Sequence, residues 1–331
     1  MLVNRRVLVG VRAVIAFVLA LVLMAMVFAS SVGAQSANTL KVSPVRSDLE
    51  VKPGETGEVP VTITNLTNAD IFVTPIQNDF VQGDESGTPS IILDEDEFAP
   101  THSLKRFMQP LENVKVPANG SAVVTVRIVV PSDAQAGGYF GALRFAPTTP
   151  DGGGQVNLSA SVASLILLTV PGPMTEQLNL TEFILQQGGQ SGTDFRTGDG
   201  LKAVFRFENK GNIQLGPFGK LSVTKGKDLI YDYDFNRDTP RDVVLPNGAR
   251  KWEVPIENID GFGHYTVHAT FTYGLTNKTI EVERSFWVIP TAYIIAAIGI
   301  IILLIAAVIF LVVWLKGRRK RAIRRRAGRR R

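Results

Sequence analysis

With no cysteine in its 331 residues, this chain leaves side-chain chemistry to three histidines and 30 aspartates and glutamates. The missing thiols exclude a disulfide framework, thiolate zinc sites, thiol catalysis and cysteine-ligated iron–sulfur clusters. His264 and His268 stand four residues apart, a spacing that would turn both rings toward one metal ion on a helix. Yet Tyr265, Val267, Ala269, Phe271 and Tyr273 alternate with polar residues as a strand does. At ~3.3 Å of rise per residue the two rings then lie roughly 13 Å apart. His102 stands alone in a loop, so no histidine metal site is expected. Asp232, Asp234, Asn236 and Asp238 occupy positions 1, 3, 5 and 7 of a possible calcium loop. Its sixth position is Arg237 where the loop needs glycine, and its twelfth is Val243 where it needs a bidentate glutamate. Tyr231, Tyr233 and Phe235 alternate with the acids, so a strand with one wet face is expected, a weak cation site being the alternative. Asp94-Glu95-Asp96-Glu97 is a run of four carboxylates. Paired acids hydrolyse glycosides only when held at a fixed separation in a cleft; a contiguous run reads as a solvated loop. A wall hydrolase using Asp94 and Glu97 is therefore the minor enzymatic alternative. No Gly-x-Ser-x-Gly elbow, His-Glu-x-x-His helix or phosphate-binding glycine loop is present, and Gly152-Gly153-Gly154 and Gly188-Gly189 sit in turn-rich stretches. A non-enzymatic chain without a cofactor is expected.

The elements that must carry these residues are strands. Val59, Val61 and Ile63 alternate with Pro60, Thr62 and Thr64; Ala122, Val124, Val126, Ile128 and Val130 alternate with Val123, Thr125, Arg127 and Val129. Val156, Leu158, Ala160 and Val162 continue the pattern, as do Phe205 and Phe207. Pro53-Gly54, Asn119-Gly120, Gly137-Gly138, Asn247-Gly248 and Asp260-Gly261 mark turns. An internal repeat orders them. Val61-Thr62-Ile63-Thr64-Asn65, Val116-Pro117-Ala118-Asn119-Gly120 and Gly138-Tyr139 in the first half match Phe205-Arg206-Phe207-Glu208-Asn209, Leu245-Pro246-Asn247-Gly248 and Gly263-His264-Tyr265 in the second. The first copy carries an insertion around 79–111. Short strands with turns every 8–12 residues predict an all-β ectodomain of two tandem immunoglobulin-like β-sandwiches, 38–170 and 174–288, joined at Pro171-Gly172-Pro173. From Val162 to Val170 both faces are apolar, with Ala163, Leu165 and Leu167 opposite Val162, Ile166, Leu168 and Val170. That pattern predicts a strand buried on both sides where the domains meet. The alternative is an exposed edge, with Leu165 and Leu167 pairing with a partner's strand.

The two ends supply the address. Arg5-Arg6 and Arg12 precede an apolar run from Ala13 to Ala29 and then Ser30-Ser31-Val32-Gly33-Ala34. This is the order of a secretory signal, 1–34, with cleavage expected between Ala34 and Gln35; an uncleaved anchor is the alternative. Residues 292–315 contain no charge and predict one C-terminal transmembrane α-helix, with Trp287 and Tyr293 at one interface and Trp314 at the other. The tail 316–331 holds eleven basic residues, beginning Lys316, Arg318 and Arg319. It predicts a cytoplasmic end lying against anionic lipid and an ectodomain outside. Without aromatic or structured readout elements, it predicts no nucleic-acid partner. The formal charge of +5 is thus misleading: between Gln35 and Leu315 there are 21 basic residues against all 30 acidic ones. An exported body of about 256 residues with no cysteine suits a bacterial surface.

This arrangement resembles the WxL-interacting protein type of bacterial surface protein. The resemblance is carried by Val51-Lys52-Pro53-Gly54-Glu55, Val114-Lys115-Val116-Pro117 and Gly138-Tyr139-Phe140-Gly141 in the first half. Asn209-Lys210-Gly211-Asn212 and Val244-Leu245-Pro246 carry it in the second. It implies a first domain that meets peptidoglycan and a second that meets a WxL-type surface protein; no binding residue of the family maps onto a position here. The expectation is a single-pass cell-membrane protein binding cell-wall peptidoglycan, a surface protein, or both. The alternative is a membrane-tethered assembly chaperone of the PapD type using the apolar edge at 162–170.

Overall fold

A computed structural model describes residues 39–148 and 161–327, with side chains as far as Lys316. The first half contains β1 (Leu40–Ser43), β2 (Arg46–Glu50), β3 (Thr56–Asn65), β4 (Ile71–Gln82), β5 (Pro89–Ile91), β6 (Val114–Val116), β7 (Ser121–Val129), β8 (Gly137–Thr148) and β9 (Val162–Val170). One sheet runs β1-β3-β7; the facing sheet runs β2-β9-β8-β4-β5, with β6 beside β4. The alternation read in β3 and β7 puts Val59, Val61, Ile63, Val124, Val126 and Ile128 into one aliphatic core between the sheets. The chain changes sheets at Pro44 and Val45: β1 pairs antiparallel with β3, and β2 then runs parallel to β9. Such a switch closes the corner of a sandwich.

The second half repeats the plan. It contains β10 (Leu178–Gln187), β11 (Gln190–Ser191), β12 (Asp194–Phe195), β13 (Leu201–Asn209), β14 (Phe218–Lys225), β15 (Asp228–Phe235), β16 (Ala249–Pro255), β17 (Gly263–Tyr273) and β18 (Lys278–Val288). The sheets are β11-β10-β13-β16 and β12-β18-β17-β14-β15, and β12 again runs parallel to β18. Its core is aromatic: Phe271 meets Phe205 at 4.9 Å and Phe207 at 5.0 Å, both edge to face.

The repeated motifs have one physical cause in both halves. Asn65 and Asn209 end equivalent strands and are fully buried, so their amides must be satisfied internally. Asn65 donates to the carbonyls of Ala69, Val116 and Pro117 and accepts the Thr67 N–H. Asn209 donates to Ile213 (2.7 Å) and Val244 (2.8 Å) and accepts the Gly211 N–H (2.8 Å). Each thereby ties its own turn to the turn entering β7 or β16. Asn119 and Asn247 sit in those turns at φ 52° and 59°, a left-handed conformation asparagine tolerates. The tyrosines close the opposite corner: Tyr139 Oη donates to Gln135 O and Tyr265 Oη to Asp260 O.

The insertion occupies 92–113 and is built into the first sandwich. Asn78 and Asp79, fully buried on β4, hold it: Asn78 donates to Ile92 O, and Asp79 accepts the N–H groups of Ala99 and Lys105. Leu104 and Met108 enter the core, and a Cβ on Gly141 would lie 2.5 Å from Met108 Cε. The carboxylates of 94–97 remain exposed.

Only Ile289 and Pro290 separate β18 from the helix α1 (Thr291–Ala327). Its segment Thr291–Lys316 has 26 residues and an 18-residue stretch of mean hydropathy 3.4, which is long and apolar enough to cross a membrane.

Two outcomes are expected. Asn209→Ala removes donors to two buried carbonyls and orphans the Gly211 N–H, so it lowers stability by about 2–4 kcal/mol, read as a lower urea midpoint. Glu176, nearly buried, takes the N–H groups of Leu275 and Thr276 and the Thr276 hydroxyl. Burial alone would raise its pKa, but these donors outweigh it and hold the carboxyl below the usual glutamate range. Its contribution is therefore complete above that range and lost as pH falls through the depressed value. Glu176→Gln should be less stable at neutral pH and show a flatter acid limb in pH-dependent thermal melting.

Candidate binding site at the domain junction

Two motifs far apart in sequence meet between the sandwiches. Gly138 N–H donates to Asn212 O at 2.8 Å, and the Asn212 amide donates back to Ala136 O at 2.9 Å. A Cβ on Gly137, at φ 148°, would stand 2.8 Å from Asn212 O. The glycine pair is there because the 211–214 loop lies directly on it. Gln214 Nε2 adds a bond to Thr169 Oγ1 (3.0 Å). A second contact joins the hairpin between β4 and β5 to β13 and β16. Glu85 pairs with Arg206 at 2.8 Å, and the backbone N–H of Lys251 donates to Glu85 O at 2.6 Å. The Arg206 hydrogen bond holds Glu85 below the usual carboxylate range. Between the two contacts, Phe80, Phe140, Ala142 and Leu167 pack against Leu245, with Leu165 and Val243 partly buried around them.

The strand β2 ends its sheet at this junction. A cleft of about 250 Å³ opens on one side of it, with Val45, Phe80, Leu165, Leu167, Leu245 and Arg250 among its walls. A second, of about 280 Å³, adjoins it through Arg46 and Val243 and is bounded further by Asp48, Gln214 and Arg241. Val45 is 65% exposed at the strand's start. Arg46 reaches across to Arg241 O at 2.7 Å while its guanidinium also holds Asp48. Arg241 lies over the Phe218 ring at 3.8 Å, and Arg250 pairs with Asp242 at 2.7 Å. Gln214 Oε1, Arg241 Nε and Arg250 Nε are buried without a hydrogen-bond partner among the described residues. The junction therefore offers an apolar floor beside a strand that ends its sheet and is paired on one side only.

The expected site residues divide. Leu165 and Leu167 do lie at the junction, but the alternative that 162–170 is an exposed edge is corrected. β9 is an interior strand, paired with β8 over 162–170 and covered by β2 over 165–169. The reason is the sheet switch after β1, which lays β2 on it. Trp287 and Tyr293 meet around Phe262, at 5.8 and 5.5 Å between ring centroids. Trp314 and Lys316 are exposed near the far end of the apolar segment. The side chains of Arg318 and Arg319, and the signal segment with Ala34 and Gln35, lie outside the described residues, as do Val156, Leu158 and Ala160. His264 packs on Trp287 (4.9 Å), His268 pairs with Glu283, and His102 packs on Tyr139 and Phe140, burial pushing its pKa down. Asp232 and Asp234 lie on β15 as a wet strand face, paired with Lys220 and Arg237. Among the described residues no three His, Asp or Glu side chains converge to hold a metal. Sequence reasoning passed over Val45, Arg46, Gln214, Arg241 and Arg250. The Gly137-Gly138 pair, whose sequence signals a turn, instead marks a close backbone approach by the 211–214 loop.

No protein-family model and no curated protein matches the chain. Among solved structures, the chain is similar to the class 5 fimbriae chaperone CfaA, with 11% identity, 75% of this chain and 98% of that chain covered, and a TM-score of 0.38. It is also similar to the Pseudomonas aeruginosa CupB2 chaperone, with 10% identity, 74% and 99% covered, and a TM-score of 0.34. A third is the Salmonella enterica SafA pilin in complex with the SafB chaperone, with 12% identity, 76% and 95% covered, and a TM-score of 0.34.

Burial at the junction separates two substitutions. Leu167→Asn places an unpaired amide against Phe80, Phe140 and Leu245 and should cost about 2–4 kcal/mol in urea unfolding. Val45→Asn, on an exposed side chain, should shift the midpoint by less than about 0.5 kcal/mol. Gly137→Val should leave each sandwich folded but pry the junction apart, read as faster proteolysis of the 171–177 linker.

Proposed function

We propose that the protein is a non-enzymatic, single-pass surface protein that holds an extended segment of a second exported protein along the free edge of β2, as an adaptor or assembly chaperone of the PapD type. The observation that carries this reading is the position of β2: a terminal strand, paired on one side only, whose Arg46 borders two adjoining clefts with apolar and charged walls. Strand addition takes affinity from main-chain hydrogen bonds and selectivity from the pockets that receive alternate side chains. Leu165, Leu167 and Phe80 would take apolar side chains, and the guanidinium of Arg241 and the amide of Gln214 would take polar ones. Arg46, Asp48 and Glu50 put one positive and two negative charges at every second position of this strand, which discourages indiscriminate pairing and selects a complementary segment. The body lies outside the cell membrane, and the basic tail, from Lys316 through Arg318 and Arg319, lies inside against anionic lipid. Wall binding enters through the WxL-interacting resemblance alone.

A photo-crosslinking residue in place of Val45 in the full-length membrane protein tests the reading. Crosslinks to a discrete exported protein are expected, with a matched site at Val123 giving none. The Val45 crosslinks should fall several-fold when Arg241→Ala and Gln214→Ala are added. Retention of the protein on purified peptidoglycan, with no protein adduct at Val45, would instead favour a wall-binding function.

A further inference from the structure

The end of the second sandwich that faces α1 carries a cluster the partner reading does not use. Phe262, in the loop entering β17, is 46% exposed, Trp287 on β18 is 41% exposed and Tyr293 on α1 is 57% exposed. Their rings meet around Phe262, and His264 packs at a tilt on Trp287. Lys225 joins them: its ammonium donates to Phe262 O at 3.0 Å and lies 5.2 Å over the Tyr265 ring. Lys225 opens the β14–β15 turn, which also carries Lys227, so the same end presents lysines beside exposed rings.

The connection to α1 leaves no slack. Trp287 N–H donates to Thr193 O and Ile289 N–H to Phe195 O, so β18 is held by the sandwich through residue 289. Tyr293 N–H donates to Pro290 O, and α1 has begun at Thr291. A membrane-crossing helix that starts two residues beyond a fixed strand brings the sandwich end to the bilayer surface.

We infer that the second sandwich seats on the membrane that α1 crosses, with Phe262, Trp287 and Tyr293 in the lipid interface and Lys225 and Lys227 among the phosphates. The occupant of the cluster is phospholipid, because the patch is continuous with the apolar helix and combines amphipathic rings with ammonium groups, the pattern bilayer interfaces favour. The sandwich then acts as a strut. β17 runs away from the cluster, and at ~3.3 Å per residue its far end stands roughly 35 Å from Phe262. Leu275, in the turn after β17, therefore reports a point well clear of the lipid. This inference goes beyond the partner reading and does not depend on it.

The absence of cysteine allows a single label. Asp260→Cys and Leu275→Cys, both exposed, would each carry an environment-sensitive fluorophore on the full chain reconstituted in phosphatidylcholine–phosphatidylglycerol vesicles. Emission from 260 should move to shorter wavelength and be quenched by brominated lipid several-fold more strongly than emission from 275. Adding Phe262→Asp should abolish most of that difference, and Phe262→Trp should keep it. Equal quenching at both positions, quenching at 260 that survives Phe262→Asp, or a chain that does not float with the vesicles would overturn the inference. The comparison of 260 with 275 stands even if Phe262→Asp fails to fold.

Discussion

One buried amide organises most of what distinguishes this molecule. Asn209 cannot be hydrated, so it takes up the carbonyls of Ile213 and Val244 and the N–H of Gly211, and its backbone meets both Asn247 and Gly248. These bonds fix two loops at once. Asn212 and Gln214 lie in the first and reach Gly138 and Thr169; Val243 and Leu245 lie in the second and meet Phe80, Leu167 and Gln82. The junction between the sandwiches is therefore an extension of the core polar network of the second one. Asn65 makes the same clamp in the first sandwich.

The sheet switch after β1 has the next largest consequence. By laying β2 along β9, it converts the most apolar strand of the first sandwich into an interior one. The open main-chain edge passes to a short, charged strand. Burial of β9 on both faces follows directly: Ile166, Leu168 and Val170 fill the sandwich, while Leu165 and Leu167 fill the junction. Core packing and the open sheet edge thereby fall on adjacent strands, β9 filling both faces and β2 ending the sheet.

Charge follows the same division. The basic residues that dominate the formal total sit at the two termini, and the body carries an acidic excess. Within that body, Arg46, Arg241 and Arg250 stand around the clefts, and Lys225 and Lys227 stand beside the aromatic cluster near α1. The second sandwich lies between them, its long β17–β18 hairpin spanning the distance.

The sequence alone determined the class of fold and its repetition, because period-two alternation and the Asn, Asn-Gly and Gly-Tyr signals arise from local backbone geometry and from burial of one strand face. It located the membrane-length helix, whose apolarity is contiguous, and it placed Trp287 and Tyr293 beside it. It placed His264 and His268 on one strand, β17, and Asp232 and Asp234 on another, β15, because their neighbours alternate with period two. The tertiary structure decided what depends on pairing across long separations. Nothing local in Arg46-Ser47-Asp48-Leu49-Glu50 says that it will cover β9, a partner more than a hundred residues away. Gly137 and Gly138 looked like a turn until the 211–214 loop was seen lying on them, and Phe262 looked like one apolar residue in a loop until Trp287 and Tyr293 came to it. Composition and periodicity record which side chains leave water; only the folded chain determines which of them meet.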